Sequence, residues 1–380
     1  MMHRESPAAA SFVPAADRQS FQIRRAIEDD NEGLLALTRA TPMAGTIALR
    51  IDRDPDFFAL LRMRGESIVY VALQGSEVVG SISAALRTVY ISGEPETAAY
   101  VGDMKVHPRF SGSRIALNLT QTLEAHLRSA GIDLGVCVVA DGNRRAMPLL
   151  AGRLGITRWV SMGRFLVKEL LPSPFEGSAG GYRIELAEAK DLTSITALLN
   201  QFHRSRQFAP RLTESEIIAP GCSGGEGAYS RTLVARRDSR IVATLSLLDT
   251  ATVKRNVLLG IPPSARAAVA LLRLMAAPFP GFCVPRIGHP LRILTVRHFA
   301  CEGGHEQALG SLIRRARCEA FHNRFTFLLL GLHESDPLCH LLQGMPGFTF
   351  TSLAFATSLQ APERLESVSR GIPFEDYALV

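Results

Sequence analysis

The sequence has little that would suit a membrane protein or a secreted one. Although 47% of its residues are hydrophobic, no uninterrupted apolar run approaches the roughly 20 residues that a membrane-spanning helix needs. The first 20 residues lack the compact apolar segment of a secretory signal. We therefore expect residues 1–20 to be a disordered tail, the protein to be soluble and cytoplasmic, and a membrane not to be a partner.

Cysteine motifs and concentrated positive charge are missing too. The six cysteines include no C-x-x-C pair and have no regular spacing, which favours structural thiols in a reducing compartment over a disulfide framework. No cluster of ligand residues has the spacing of a metal site, so no metal is expected. The net charge of +6 is spread over many arginines without a basic run, and an aromatic platform is absent. Nucleic acid is therefore not expected as a partner.

What the sequence does contain is a repeated order of elements. A chain of 380 residues is long enough for two domains, and a stretch rich in proline, glycine and serine suits a linker. A strand followed by an acid-capped helix opens the chain, and the same order returns after that stretch. The sequence therefore predicts two tandem units of the α/β class, each with a mixed sheet. Their expected bounds are 21–170 and 182–360, with the linker at 171–181 and a tail at 361–380.

Within the first unit the expected order is strand, helix, three strands, helix, strand, helix and strand. A hairpin is predicted at Gln74-Gly75-Ser76. The strand Asp133–Ala140 is apolar on both faces, as is typical of a central strand. A helix is expected over Asn143–Leu154, with Pro148 kinking it or shifting its start. Trp159–Leu170 is then expected to complete the unit as its last strand.

The most informative stretch predicts a strand, a tight turn and a helix between residues 99 and 129. The strand Tyr100–Val106 ends before Pro108, and a loop containing Gly112 follows. No acidic residue precedes the helix, so its free N–H groups and the positive end of its dipole form an anion site suited to phosphate. One apolar stripe with helical spacing predicts the buried face: Ile115, Leu117, Leu119, Leu123 and Leu127.

This stretch resembles motif A of the GNAT acyltransferase family, whose loop of the form Q/R-x-x-G-x-G/A holds the pyrophosphate of acyl-CoA. Gly112 and Ala116 fit the motif. Ser111 stands where Arg or Gln is usual, and Arg114 stands where a second Gly is usual; an arginine there can crowd the diphosphate or pair with it. The order of elements is also that of a GNAT domain, so the chain looks like a tandem GNAT protein.

The resemblance implies roles for particular residues. The backbone of Met104, Lys105 and Val106 would pair with the pantetheine arm. Asp103 would be the catalytic base, directly or through water; the alternative is a strand-end carboxylate paired with an arginine. Leu150 stands where the family commonly has the tyrosine that acts as acid, so the proton donor is left open. The remaining expected cofactor-binding positions are Ser111, Gly112, Ser113, Arg114, Ile115, Ala116 and Asn143.

The function that this resemblance implies is acyl-CoA-dependent N-acyltransfer, with acetyl-CoA as the default co-substrate. The acceptor would be a small-molecule amine or a protein amine, and the sequence does not choose between them. The turn Cys301–Glu306 places two carboxylates beside the second long helix, so the second unit is expected to be degenerate, structural or acceptor-side. Two rivals stay open: a non-catalytic protein that binds CoA or a partner, and a structural dimer of α/β units. A homo-oligomer is likewise left open.

Overall fold

The computed structural model describes residues 21–43, 48–152, 155–218, 229–261, 263–276 and 282–380. Its helices are α1 (Asn31–Ala40), α2 (Ala59–Arg64), α3 (Ile115–Ser129), α4 (Met147–Leu150), α5 (Leu192–His203), α6 (Glu214–Ile218), α7 (Pro263–Ala276), α8 (Glu306–His322) and α9 (Arg364–Ser369). Among these helices, none combines the length and apolarity needed to cross a membrane. The tail expected at residues 1–20 lies outside the described residues.

The strands are interspersed with these helices along the chain, often two or three in succession. They are β1 (Gln22–Arg25), β2 (Ala48–Asp52), β3 (Glu66–Gln74), β4 (Glu77–Ile91), β5 (Glu94–Val106), β6 (Leu134–Ala140), β7 (Val160–Leu170), β8 (Arg183–Leu186), β9 (Arg206–Gln207), β10 (Ala209–Pro210), β11 (Ser230–Arg237), β12 (Arg240–Asp249), β13 (Arg255–Gly260), β14 (Pro290–Leu291), β15 (Ile293–Cys301), β16 (Phe327–His333), β17 (Gly347–Ser358) and β18 (Ile372–Pro373). The hairpin predicted at Gln74-Gly75-Ser76 is confirmed, and β11 and β12 form a second hairpin around Asp238-Ser239.

A mixed sheet of 13 strands runs through both halves of the chain. Its path is β1-β3-β4-β5-β6-β17-β7-β16-β15-β12-β11-β8, and β10 pairs with β4 outside this path. The repeat predicted from the sequence is visible in the two ends of this path. Each half places its strands in the same sequence, with one parallel pair in each: β5 with β6, and β15 with β16.

The last strands of the two units are exchanged. β17 runs antiparallel to β6, with Phe355 opposite Cys137, and also antiparallel to β7. β7 in turn pairs with β16, with Val167 opposite Gly331. The expectation that Trp159–Leu170 completes the first unit is therefore wrong. Both strands are long and largely apolar, and such a pattern fixes which face is buried but not which edge the strand joins.

Two further expectations are corrected. The helix expected over Asn143–Leu154 is the single turn α4, because Pro148 occupies its second position and the preceding residues form turns; residues 153 and 154 lie outside the described residues. The expected tail at 361–380 is packed into the fold instead. It contains α9 and β18, and all residues from 373 to 379 are buried.

Helix α3 is held against the sheet by a glycine in the facing strand. A Cβ on Gly80 would lie 2.5 Å from Cγ2 of Ile115 and 3.2 Å from Cδ1 of Leu119, so only glycine allows this close approach. All five apolar residues predicted for the stripe of α3 are buried. Ile82 and Ala84 of β4 belong to the same apolar cluster. The helix-facing side of β4 and β5 is thus the core of the first half.

Candidate functional site

Strands β5 and β6 separate and leave part of a strand edge without a partner strand. Their parallel ladder has only two pairs, Ala99 with Gly135 and Tyr100 with Val136. On its other side, β5 stays paired with β4 as far as Val106 opposite Gly80. Residues 101–106 are half-buried. Their free edge can accept an extended ligand as an added strand would be accepted.

The C-terminal end of this free edge leads into an open turn. Gly112 has φ +83°, and a Cβ built there would meet nothing within 4 Å. Ser111, Gly112, Ser113 and Arg114 are all exposed. The first turn of α3 has no acidic residue, so its N–H groups present the positive end of the helix dipole to this space. Among the described residues, the backbone at Gly112 is therefore open to an incoming group.

Ile115 and Ala116 take different places in this arrangement. Ile115 is fully buried under the helix, so only its backbone faces the turn, and its N–H lies 3.4 Å from Oγ of Ser113. Ala116 is half-buried in the first turn. The six motif positions are therefore brought together at one corner, four of them at the surface.

A β-bulge interrupts β5 at Asp103. Ser81 lies opposite Lys105 and Ser83 lies opposite Gly102, so Asp103 and Met104 face a single residue of β4. Asp103 has φ +50°, a left-handed conformation that is uncommon for a residue with a side chain. A bulge of this kind takes an N–H group out of the regular ladder and turns it towards the neighbouring space.

The Asp103 carboxylate is buried in an ion pair. It accepts hydrogen bonds from Nη1 and Nη2 of Arg53 at 2.9 and 2.8 Å, and from Oγ of Ser83 at 2.9 Å. Burial opposes its ionisation, but Arg53 and Lys105 outweigh that effect and lower the pKa of Asp103. Burial also lowers the pKa of Lys105. This is the arginine-paired arrangement that was the alternative to a catalytic base.

Asn143 and Leu150 lie away from the turn motif in sequence and differ in their surroundings. Asn143 is exposed in the loop after β6, where its N–H donates to the carbonyl of Ala140 at 3.1 Å. Leu150 is buried in an apolar cluster with Cys137 and Phe355. No hydroxyl stands at position 150, so the proton donor expected there in the family has no counterpart at this position.

The second half repeats the bulge and the split but buries the strand edge. His298 occupies the bulge of β15 and has φ +44°. The parallel ladder of β15 and β16 has three pairs and ends at Thr295 opposite Leu329. All residues of both strands are buried, so the edge of β15 beyond Thr295 is not open as that of β5 is. Gly304, at φ +81°, is the counterpart of Gly112, but its N–H donates to the Glu306 carboxylate at 3.0 Å. An acidic side chain thus occupies the anion-binding end of α8, as expected for a degenerate unit.

Sequence analysis missed the charged cleft on the face opposite α3. Nη1 of Arg64 lies 2.8 Å from Oε1 of Glu375, and its guanidinium carbon lies 3.4 Å from the centre of the Tyr100 ring. Nε of Arg297 lies 2.8 Å from Oδ2 of Asp376. The cleft is lined by residues from both halves of the chain. The apolar residues around Glu375 and Asp376 were the available signal that the chain end is buried.

A family comparison identifies the first half of the chain. Residues 36–156 match the model of the acetyltransferase (GNAT) family, and this segment includes the split, the bulge and the turn. No curated protein matches the chain.

Solved structures establish the fold of the whole chain. N-myristoyltransferase from Saccharomyces cerevisiae with bound myristoyl-CoA is similar over 91% of this chain and 85% of that chain, with a TM-score of 0.59 and 13% identity. GCN5-related N-acetyltransferases are similar as well. The one from Anabaena variabilis covers 90% of this chain and 74% of that chain, with a TM-score of 0.53 and 11% identity. The one from Kribbella flavida is similar over 90% of this chain and 72% of that chain, with a TM-score of 0.50 and 13% identity. The predicted fold of two GNAT-like units in tandem is confirmed.

Proposed function

We propose that the protein is an acyl-CoA-dependent N-acyltransferase whose first unit holds the acyl-CoA. One observation carries this proposal: the free edge of β5 ends at an open turn with the positive end of α3 behind it. The pantetheine arm would lie along Val101–Val106, and the diphosphate would sit at Gly112. The GNAT family match over residues 36–156 supports the same reaction class.

The reaction is the attack of a neutral amine on the thioester carbon, with loss of the CoA thiolate. The carbonyl oxygen gains negative charge in the transition state, and a fixed N–H donor there lowers the barrier. The bulge at Asp103 and Met104 is the place where β5 can supply that donor. Backbone geometry therefore performs the main catalytic task, and the side chains around it position the acceptor.

In this proposal Asp103 is a positioning residue. Both of its oxygens are held by Arg53 and Ser83, and its lowered pKa makes it a weak base. Its ion pair ties β5 to the segment after β2, which covers the acceptor side. With Leu150 in an apolar cluster, the departing thiolate would take its proton from water or from another side chain.

The acceptor amine would approach from the charged face opposite α3. Lys105, Asp103 and Tyr100 lie on that face of β5, and the second half supplies its far wall through Phe374, Glu375 and Asp376. This assigns the second unit to the acceptor. A cytoplasmic location belongs to the same proposal and is supported by five described cysteines that are all free thiols.

Calorimetry with CoA and acetyl-CoA tests the binding site, and the repeat provides a matched control. Gly112 and Gly304 have nearly equal φ, and a Cβ at either would meet open space. Gly112→Asp adds a negative charge beside the diphosphate and should weaken CoA binding by about tenfold or more. Gly304→Asp imposes a similar backbone cost and should leave CoA affinity within about twofold.

Absence of binding at millimolar CoA, or equal losses in both variants, would refute this placement. When CoA does bind, thiol release with a panel of amines separates an enzyme from a binder. Thiol release that is no faster than without protein, for every amine tested, would favour a non-catalytic CoA-binding protein.

A further inference from the structure

The stretch of chain between β12 and β15 is basic and contains no acidic residue. Residues 250–301 include seven lysines and arginines but neither Asp nor Glu, although the whole chain has 36 acidic residues in 380. The described part of this stretch contains the strands β13 and β14 of the small sheet and the helix α7. A stretch with charge of one sign favours a partner of the opposite sign.

One face of α7 is apolar and exposed. Leu271 and Leu274 have 57% and 73% of their surface exposed, and Ala267 and Ala270 are exposed as well. These four positions are separated by three, one and three residues, which places them together on one side of a helix. Two largely exposed leucines on the same side of one helix indicate a contact surface.

Exposed apolar side chains also occur beside this helix. Leu259 of β13 and Ile287, in the turn before β14, are both exposed. Nη2 of Arg273 donates to the carbonyl of Pro285 at 3.3 Å, so α7 lies next to the segment that leads into the turn at Ile287. Four of the nine large apolar residues that are exposed in the described chain therefore fall within residues 259–287.

Three arginines of this stretch are exposed and lack an acidic partner. Arg266 and Arg273 are separated by about two turns of α7, so both lie along one edge of its apolar face. Arg286 directly precedes the exposed turn. None of the three forms an ion pair with a described residue, whereas Arg255 and Arg297 of the same stretch do. Their charge is therefore available to an anionic surface.

We propose that the apolar face of α7 and the turn at Ile287 dock on the surface of an anionic phospholipid bilayer. A helix that lies in the interface inserts its apolar face among the acyl chains, while arginines at its edge reach the lipid phosphates. Such a helix does not need the length of a membrane span, so the lack of a long apolar run in the sequence does not oppose this docking.

The charge pattern favours a lipid surface over a protein partner. Protein surfaces carry charges of both signs, so a complementary protein-binding site would contain some acidic residues. A bilayer rich in anionic lipids presents one sign only and attracts basic residues wherever they lie along its plane. None of the docking residues belongs to the acyl-CoA site proposed above, so this inference goes beyond the proposed function and does not depend on it.

Sedimentation with vesicles tests the docking of the full chain. Vesicles of equal parts phosphatidylcholine and phosphatidylglycerol should bind the protein at least about tenfold more tightly than vesicles of phosphatidylcholine alone, because several unpaired arginines face the anionic lipid. Added NaCl should weaken binding to the mixed vesicles, since it screens these charges. Equal binding to the two kinds of vesicle would overturn the proposal.

Two double variants separate the apolar contribution from the charged one. Leu271→Ser/Leu274→Ser removes the exposed leucines and should weaken binding to the mixed vesicles at least about tenfold. Arg266→Gln/Arg273→Gln removes two charges and should weaken binding by about tenfold or more at low salt, with a smaller response to NaCl. A leucine variant that binds as tightly as the wild type would overturn the insertion of α7.

A matched control removes exposed apolar side chains elsewhere. Ile27 and Leu186 are also exposed but lie outside the basic stretch, so Ile27→Ser/Leu186→Ser should leave vesicle binding within about twofold of the wild type. The leucine and arginine variants should retain the thermal midpoint and the CoA affinity of the wild type. Loss of CoA binding in the wild type would refute the proposed function and leave the docking surface standing.

Other occupants of this face give different results. Ultracentrifugation that shows self-association of the wild type, abolished in Leu271→Ser/Leu274→Ser, together with no vesicle binding, would assign the face to a second copy of the chain. Binding of polyglutamate that requires Arg266 and Arg273, again without vesicle binding, would assign it to an acidic protein. Either result would overturn docking on a bilayer.

Discussion

At the scale of single residues, the two bulges place different side chains in the same backbone conformation. Asp103 and His298 both occupy the bulge of the central strand of their unit, at φ +50° and +44°. Asp103 faces Arg53 across the acceptor side. His298 is buried, its Nε2 has no hydrogen-bond partner among the described residues, and burial lowers its pKa well below the usual range. The backbone feature is repeated, whereas the ion pair with an arginine is found only at the bulge of the first unit.

The Arg53–Asp103 pair allows a prediction on stability and on mechanism. Asp103→Asn leaves a buried guanidinium without its counter-charge and should cost about 3 kcal/mol of unfolding free energy. The double variant Arg53→Met/Asp103→Leu should lose less free energy of unfolding than the two single variants lose together. Urea unfolding measures both. If Asp103 is a positioning residue, Asp103→Asn lowers kcat without changing the shape of the pH–rate profile. Loss of the acidic limb, in which a catalytic carboxylate becomes protonated, would restore Asp103 as the base.

Glu169 gives a pH-dependent prediction. This residue of β7 is buried, and burial raises its pKa from the usual 4.5 to about 7. The pKa of Glu169 is higher in the folded state than in the unfolded state. Its contribution to the free energy of unfolding is therefore fully present below about pH 4.5 and is lost as pH rises through about 7. The free energy of unfolding of Glu169→Gln relative to that of the wild type should therefore increase with pH. The increase should be less than about 1 kcal/mol at pH 5 and about 3 kcal/mol at pH 8. A constant difference between urea curves at the two pH values would contradict this.

At the scale of elements, the strand–turn–helix unit from β5 to α3 is positioned by contact with β4. The first turn of α3 can face the open corner only while Ile115 and Leu119 lie close over Gly80. The position of the anion-binding end is therefore set from behind the helix. The same element order in the second half ends in a turn whose N–H groups are already occupied by Glu306.

Gly80→Ala tests this arrangement. Its Cβ would lie 2.5 Å from Ile115, so α3 must shift, at a cost of about 1–3 kcal/mol. CoA affinity should fall with stability, because the N–H groups of the first turn move with the helix. Gly260→Ala is the control, since a Cβ there has open space. Equal thermal midpoints and equal CoA affinities in the two variants would show that the contact does not set the helix position.

At the scale of the whole molecule, the exchange of β7 and β17 makes the two units interdependent. Each unit's sheet is completed by a strand from the other, and a small sheet joins β2 of the first half to β13 of the second. The chain's last residues lie between the halves, where Arg64 of the first half lies 2.8 Å from Glu375. A ligand site in one unit is thus supported by the other.

This interdependence predicts a single cooperative unfolding transition. Trp159 fluorescence reports on the region where β6 and β17 meet, and far-UV circular dichroism reports on the whole chain. Their urea midpoints should coincide. Two separated midpoints would show that the halves unfold independently despite the exchanged strands.

The sequence by itself determined the elements whose signals are local. The apolar stripe of α3, the hairpin turns, the repeated opening of each half and the glycine turn before α3 follow from spacing over a few residues, and the structure contains each of them. The departures from the family motif at Ser111, Arg114 and Leu150 were likewise visible in the sequence, because each is a matter of residue identity at one position. These features depend on backbone conformation and on one buried face, which neighbouring residues specify.

Only the tertiary structure decided the features that join distant parts of the chain. Arg53 meets Asp103 across 50 positions of sequence, and β17 inserts beside β6 although residues of similar pattern, those of β7, are nearer in the chain. The burial of residues 373–379, which follow β17, depends on that insertion. Such pairings are chosen by the free energy of the whole sheet, because several apolar strands satisfy the same local pattern and that pattern does not specify which edge each strand joins.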